Sequence, residues 1–271
     1  MAESYPRLCA SIAASASKVG VAVHRAGYRA LEMDWTYVAF SLDDTEAAVA
    51  AIRALGIRGC GVTMPHKETV LPLLDRVDDD AAAIGAVNTI VNDDGHLTGY
   101  NTDWLGATRA LEAVTTLDGA EVVLLGAGGA GRAVAYGLER AGARVTVRNR
   151  TEARAAQLAD ELGLAGSGGL EGLAGSSFDV LVNTTSVGYR DPEASPVTAP
   201  LDWDGKVVLD AVAEPHRTRL LRDAEAGGAI VVPGTRMRLL QAGEQFRLYT
   251  GKEPPLDAME TALLAATGGG G

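Results

Sequence analysis

"EVVLLGAGGAGRAV", residues 121–134, decides the fold. A short apolar run leads into Gly126, Gly128 and Gly131, spaced G-x-G-x-x-G, and a helix-like stretch follows. The first glycine permits a tight turn and the second lets the backbone approach a pyrophosphate. The third lets the helix pack close to its strand. The helix N-terminus beyond them offers N–H groups and a positive dipole end to phosphates. Glycine-rich turns are common, so the motif gains weight from context. Here a strand, a helix and a further strand at 144–149 stand where a dinucleotide-binding βαβ unit needs them.

That next strand selects the cofactor. NAD-binding units usually end it with Asp or Glu, which holds the ribose 2′-hydroxyl. Asn149 occupies the place, with Arg148, Arg150 and Arg154 around it. Guanidinium groups without an acid suit a 2′-phosphate, which arginine binds in bidentate fashion. NADP(H) is therefore the expected cofactor. The competing reading is a solvated basic face at the start of a helix.

Strand-like and helix-like segments alternate on both sides of this block, which places the chain in the α/β class. Downstream, strands are expected at 179–184, 206–212 and 229–232, then helices at 236–248 and 257–267. Upstream, a strand at 35–40, a helix at 43–56 and a strand at 58–64 form an expected βαβ unit. Asp44 or Thr45 caps that helix and Gly56 stops it. Residues 86–102 read as a hairpin around Asp94-Gly95. A helix follows at 104–114, which Asn101, Thr102 or Asp103 would cap. The break between the blocks predicts two α/β domains with a cleft between them. A substrate domain covers 1–103, completed by 236–271, and a Rossmann-type NADP-binding domain covers 104–235. The closing "GGGG" reads as a disordered tail.

Lys plus Arg number 24 against 35 Asp plus Glu, a net charge of −11, which argues against a nucleic-acid partner. A small anionic substrate stays open, because one local pocket on an acidic protein can be cationic. No apolar run approaches the roughly 18 residues of a membrane span, and the N-terminus lacks the pattern of a signal peptide. Cys9 and Cys60 form no metal or redox spacing, and His24, His96 and His216 show no metal-ligand pattern. The expectation is a cytoplasmic monomer or homodimer with no metal and no membrane partner.

The chemistry begins at "VTMPHKE", residues 62–68. Lys67 follows the carboxyl end of a strand, where open α/β sheets place their ligands. It also stands near the positive end of the next helix, a poor place for a structural cation. Nicotinamide chemistry on a carbonyl or alcohol needs a proton donor beside the reacting carbon. A helix dipole and partly dry surroundings would bring a lysine toward that range. Asp103 is the candidate partner. Taken singly, the two also read as an exposed lysine and a helix cap.

Together the motifs are more specific. "VTMPHKE", "IGAVNTIV", "GYNTDWLG", "LGAGGAGRAV", "NRTEARAAQLA", "VNTTSVG" and "MRLLQAGEQFRLYTG" resemble the shikimate dehydrogenase family, in order and spacing, over residues 24–251. The resemblance implies reduction of 3-dehydroshikimate, a small carboxylate, to shikimate with NADPH. It implies Lys67 and Asp103 as the catalytic pair, and Thr63, Asn88 and Gln241 on the substrate's hydroxyls. Gly126, Ala127, Gly128, Gly129, Ala130 and Gly131 would cradle the pyrophosphate. Asn149, Arg150, Thr151 and Arg154 would hold the adenosine phosphate, with Thr184, Ser186 and Gly234 near the nicotinamide half. In that family the N-terminal segment and the last helices form the substrate domain.

Two departures concern the carboxylate. The family usually carries Ser-x-Ser-Pro shortly before a helix, expected here from about His24-Arg25, and an ungapped alignment sets Lys18 and Gly20 where the serines belong. Ser15 and Ser17 fit that role with a local insertion. The family's D-x-x-Y-x-P becomes "DAVAEP", with Ala213 in place of the tyrosine. Each lost hydrogen bond to a carboxylate costs roughly 1.5–3 kcal/mol. Both changes also resemble the divergent shikimate dehydrogenase-like paralogues, as does "SKVG" at 17–20, although Val21 replaces their threonine. A paralogue acting on quinate or an aminoshikimate-like analogue, and a non-catalytic NADPH-binding regulator, are the alternatives. Lys18 is either a replacement cation or a surface lysine.

Overall fold

The computed structural model describes residues 6–268; most of the glycine tail lies outside the described residues. The chain divides into two compact units. One runs to Thr102 and takes in Gln241–Ala266; the other is Asp103–Leu240.

The first unit contains β1 (Arg7–Ala13), α1 (Lys18–Ala30), β2 (Trp35–Ser41), α2 (Thr45–Ala54), β3 (Gly59–Val62), the single-turn α3 (His66–Thr69), β4 (Arg76–Val77), α4 (Asp79–Ile84), β5 (Thr89–Asp93) and β6 (His96–Tyr100). Its sheet runs β2-β1-β3-β5-β6-β4. β1 pairs in parallel with both β2 and β3, and β5 runs antiparallel to both neighbours. The 35–64 segment is thus a parallel crossover, but β1 lies between its two strands. "RLCASIA" gave no such expectation because it is mixed in polarity and lacks clean alternation. α1 likewise begins at Lys18, earlier than the expected His24-Arg25, because the Ser17 hydroxyl caps it by accepting from Val19 N–H at 3.2 Å. The hairpin turns at Asp94 (φ 52°) and Gly95 (φ 94°), the paired positive values of a two-residue turn.

The second unit holds α5 (Asp103–Glu112), β7 (Glu121–Leu125), α6 (Gly129–Arg140), β8 (Arg144–Arg148), α7 (Glu152–Leu162), β9 (Gly166–Gly168), β10 (Val180–Asn183), β11 (Val207–Asp210), α8 (Arg219–Ala226) and β12 (Ile230–Pro233). α9 (Gly234–Thr250) starts in this unit and ends in the first, where α10 (Leu256–Thr267) follows. The sheet is parallel throughout, in the order β12-β11-β10-β7-β8-β9. Numbered from β7 and read from β9, that is the 3-2-1-4-5-6 order of a doubly wound dinucleotide fold. Central strands such as "VLVN" and "VVLD" are buried along their whole length, as a sheet covered on both faces requires. β9, "GSG", carries no strand signal; backbone pairing to β8 alone makes it a strand.

α1 packs on the returning helices. A Cβ at Gly27 would lie 2.8 Å from the Phe246 ring, and one at Gly59 would lie 2.1 Å from Tyr249, so neither site admits a larger residue. His24 is buried in this layer, stacked on Tyr37 at a centroid distance of 4.3 Å. Its Nδ1 donates to Gly20 O at 3.0 Å. Burial pulls the imidazole from 6.5 down to about 4, so between these values the unfolded chain binds a proton that the folded chain refuses. Stability therefore falls as pH falls through this window, by about 2 kcal/mol between pH 7 and pH 5. Urea midpoints should show this loss in the natural chain and not in His24→Gln. A natural chain whose midpoint stays flat from pH 7 to pH 5 would refute it.

Candidate active site

β7 and β10 flank the point where strand order reverses, and the loops at their carboxyl ends carry the expected cofactor residues. Gly126 follows β7 at φ 106°, a conformation that side chains rarely adopt. A Cβ at Gly131 would lie 2.2 Å from Gly126 O, so the third glycine lets α6 close on the turn. Gly128 and Gly129 are the opposite case: a Cβ there meets nothing within 4 Å, and both are exposed. No side chain caps α6. An open backbone shelf at an uncapped helix N-terminus fits a pyrophosphate. Ala127 lies beside Gly126, half-buried, with its N–H directed at Asn149 Oδ1 at 3.3 Å, and Ala130 is half-buried in the first turn of α6.

Asn149 follows β8 and ties this loop to the next, for its Nδ2 donates to Thr151 O at 3.0 Å. Thr151 stands at the N-cap of α7 and makes no side-chain cap bond, and Arg150 and Arg154 are exposed beside it. Among the described residues neither arginine forms an ion pair, in contrast to Arg132 with Glu161. Two uncommitted guanidinium groups beside an uncapped helix start fit a phosphate. NADP(H) therefore fits the residues present.

On the other flank, the Thr184 hydroxyl donates to Leu125 O at 2.8 Å, and a Cβ at Gly126 would meet it at 2.8 Å. Ser186 is exposed two residues on. A Cβ at Gly234 would lie 2.5 Å from Val212 O, so only glycine lets α9 start against the chain after β11. Beneath these loops a buried network, missed in the sequence, holds them in place. Asp210 Oδ1 accepts from Asn183 Nδ2 at 2.9 Å and from Val212 N–H at 3.0 Å, and its Oδ2 accepts from the Thr218 hydroxyl at 2.6 Å. Asn183 Oδ1 in turn accepts from Thr185 N–H at 3.0 Å and its hydroxyl at 2.7 Å.

In the first unit, Lys67 is half-buried on α3, and its carbonyl accepts from Val87 N–H at 2.8 Å. His66 anchors that turn. It is fully buried, with Nε2 donating to Leu42 O at 2.9 Å and Nδ1 paired with the Thr45 hydroxyl at 2.8 Å. Because a carbonyl only accepts, Nε2 is the donor in that bond. Thr63, just past β3, exposes its side chain. Asn88 is buried: its Oδ1 accepts from Thr102 N–H at 2.8 Å and from the Thr89 hydroxyl at 2.6 Å, and its Nδ2 donates to Thr102 Oγ1 at 3.1 Å. It thereby fixes the residue just before Asp103, which opens α5 and is 7% exposed. Gln241 is half-buried on α9, and one turn on Gln245 Nε2 donates to Asn88 O at 3.1 Å and Thr89 Oγ1 at 2.9 Å. Ser15, Ser17 and Lys18 are exposed, and the Ser17 hydroxyl accepts from Val19 N–H at the cap of α1.

Residues 9–90 match the family model described as the shikimate dehydrogenase substrate binding domain, and residues 108–186 match that of shikimate / quinate 5-dehydrogenase. Over 253 residues the chain is 49% identical to a shikimate dehydrogenase (NADP(+)) of Methanothermobacter thermautotrophicus, covering 89% of each. This chain belongs to the shikimate dehydrogenase family. A second family member, the shikimate dehydrogenase (NADP(+)) of Pyrococcus abyssi, is 43% identical over 92% of this chain and 93% of its own. The solved shikimate 5-dehydrogenase of Thermus thermophilus, in complex with NADP(H) and shikimate, superimposes with a TM-score of 0.86 at 38% identity. The superposition covers 96% of this chain and 99% of that one. Within this member of the shikimate dehydrogenase family, Gln245 and His66 are the supporting residues the motifs did not single out. The four-residue spacing in "QAGEQ", which puts Gln245 one turn beyond Gln241, is the one local signal that could have found it.

Proposed function

We propose that the chain is an NADP-dependent shikimate dehydrogenase, interconverting shikimate and 3-dehydroshikimate. The observation that carries this reading is its near-full-length identity to relatives of that name. The open glycine shelf and the uncommitted Arg150 and Arg154 support NADP(H) as the cofactor. In the oxidative direction a C–H and an O–H bond break and a carbonyl forms. Bound NADP+ supplies the acceptor for the hydride and its electron pair.

The chain's own residues handle the rest. Lys67 takes the hydroxyl proton as the alcohol becomes a ketone, and returns it in reduction. Asp103 accepts a hydrogen bond from a ring hydroxyl and orients the ring. Thr63, Asn88 and Gln241 bind the remaining polar groups, and Ser15 and Ser17 belong to the segment beside the carboxylate. The glycines and Ala127 and Ala130 hold the pyrophosphate, and Asn149, Arg150, Thr151 and Arg154 hold the 2′-phosphate. Thr184, Ser186 and Gly234 border the nicotinamide half. The protein acts in the cytoplasm as a monomer or homodimer. Among the described residues no helix is long and apolar enough to cross a membrane.

The test is NADPH formation on adding shikimate to the purified protein, with quinate and NAD+ in parallel. Turnover with shikimate and NADP+ supports the reading. Turnover with quinate alone, or with NAD+ alone, refutes it. A second measurement addresses the phosphate. Replacing Arg150 and Arg154 together by Ala should raise the Michaelis constant for NADP+ by roughly 10- to 100-fold, because each charge-assisted contact is worth about 1.5–3 kcal/mol. The constant for NAD+ should scarcely move. Equal rises for both cofactors would remove the phosphate assignment.

A further inference from the structure

Gln245, Thr89, Asn88 and Thr102 all belong to the first unit, and the donors and acceptors among them fix one another. Thr102 N–H can only donate, so the Asn88 atom it reaches at 2.8 Å is the amide oxygen Oδ1. The Asn88 nitrogen then faces Thr102 Oγ1 at 3.1 Å. Asn88 O can only accept, so the Gln245 atom 3.1 Å from it is Nε2. The same nitrogen donates to Thr89 Oγ1 at 2.9 Å. The single Thr89 proton is left for Asn88 Oδ1, at 2.6 Å. Thr102 Oγ1 lies 3.5 Å from the Thr89 hydroxyl, at the edge of hydrogen-bond range.

The plain alternative is that Gln245 fills space and satisfies a carbonyl. Asn88 O does not depend on it, for that oxygen also accepts from Val62 N–H at 2.7 Å. Gln245 is 5% exposed and Thr89 is fully buried, and a buried amide is costly where an apolar side chain of the same length would pack. What the amide adds is polarity. An N–H on Thr89 Oγ1 sends the hydroxyl proton to Asn88 Oδ1. Two donors on that oxygen then hold the Asn88 amide one way round, with its nitrogen as the donating end. The oxygen of a ring hydroxyl on the proposed substrate is matched to such a donor. On the reading given under the proposed function, we propose that Gln245 is a positioning residue of the substrate site: through the Thr89 hydroxyl it orients Asn88 as a hydrogen-bond donor to the substrate.

The test compares the natural chain with Gln245→Met, which keeps the length and removes both donors, and with Gln245→Glu. At alkaline pH the carboxylate of Gln245→Glu accepts where the amide donated, and draws the Thr89 proton away from Asn88. Without substrate, amide hydrogen exchange at Thr102 N–H reads the grip of Asn88 Oδ1. Val62 N–H, bonded to Asn88 O, reports on the fold. Exchange at Thr102 should quicken roughly 3- to 10-fold in Gln245→Glu and less in Gln245→Met, with Val62 within about twofold of the natural chain. With NADP+ present, the dissociation and Michaelis constants for shikimate should rise in the same order, and kcat should stay within about twofold. In Thr89→Val, which has no hydroxyl to orient, adding either substitution at Gln245 should change neither readout further. Equal quickening at Thr102 and Val62 would mean general loosening and overturn the assignment. Unchanged Thr102 exchange in both variants, or unchanged shikimate constants, would overturn it too. If Gln245→Glu does not fold, Gln245→Met and its combination with Thr89→Val decide the matter. Failure of the natural chain to oxidise shikimate overturns the proposed function separately; the exchange comparison then still decides whether Gln245 orients Asn88.

Discussion

Lys67→Ala is expected to lower kcat for shikimate oxidation by roughly 10²- to 10⁴-fold, the usual worth of a positioned proton-transfer group. The affinity for NADP+ should be unchanged, because the residues proposed to hold the cofactor belong to the other unit. The backbone of the turn should survive the substitution. His66 fixes the turn through Leu42 O and the Thr45 hydroxyl, and the Lys67 carbonyl is held by Val87 N–H; none of these uses the lysine side chain. The variant should therefore keep this turn and fold, which a denaturant titration checks. That separation of stability from activity distinguishes proton transfer from a structural role. Lys67→Arg sharpens it, for a guanidinium keeps the positive charge and gives up its proton only far above neutral pH. If Arg restored activity, Lys67 would act by charge alone. If Ala kept more than about a tenth of kcat, another group would carry the proton. Stopped-flow NADPH formation and NADP+ titration by fluorescence read both quantities.

The cradle was legible because steric demands there leave no alternative residue. Gly126 at φ 106° and Gly131 against Gly126 O can only be glycine, so the fold prints them into the sequence. Apolar strands such as "EVVLL" were legible for a related reason, being buried in a sheet covered on both faces. β1 and β9 were not. "RLCASIA" is set as a strand by parallel neighbours on both sides, and "GSG" by one edge pairing, and neither cause is local. The start of α1 was misplaced because a serine cap is only a preference, and Ser11, Ser15 and Ser17 offered several. Of the site, Lys67 and Asp103 stood out through their positions relative to strand and helix ends. Their supports did not, because the contacts join distant parts of the chain. Gln245 reaches Asn88 across a separation of 157 residues, and His66 reaches Leu42 across 24. Sequence spacing names candidate groups for chemistry more readily than the residues that hold them in place.

The same holds for Asp210, and removing it should have the largest effect on stability. Asp210→Ala strands the Asn183 amide, the Thr218 hydroxyl and Val212 N–H in a site with no exposure, at a cost of roughly 3–5 kcal/mol. Asp210→Asn keeps an oxygen for Asn183 and Val212, and the Thr218 hydroxyl can turn to accept from the new amide. That variant should lose less than about 1.5 kcal/mol. The consequence for function travels through Asn183. Thr185 hangs from its Oδ1, and Thr184 beside it is tied to Leu125 O at the edge of the glycine turn. Asp210→Ala should therefore raise the Michaelis constant for NADP+ at temperatures where the variant is folded, and Asp210→Asn should do so far less. pH supplies an independent handle. Burial raises the pKa of the Asp210 carboxyl, so the folded chain holds this proton to higher pH than the unfolded chain does. Its contribution to stability is thus fullest in acid and falls as pH rises through the folded value. Asn cannot ionise and carries no such term, so the natural chain's advantage over Asp210→Asn in denaturant titrations should shrink from acid to neutral pH. An advantage that grew with pH would mean that the three donors outweigh burial, and that Asp210 serves the loop as a carboxylate anchored below its ordinary value.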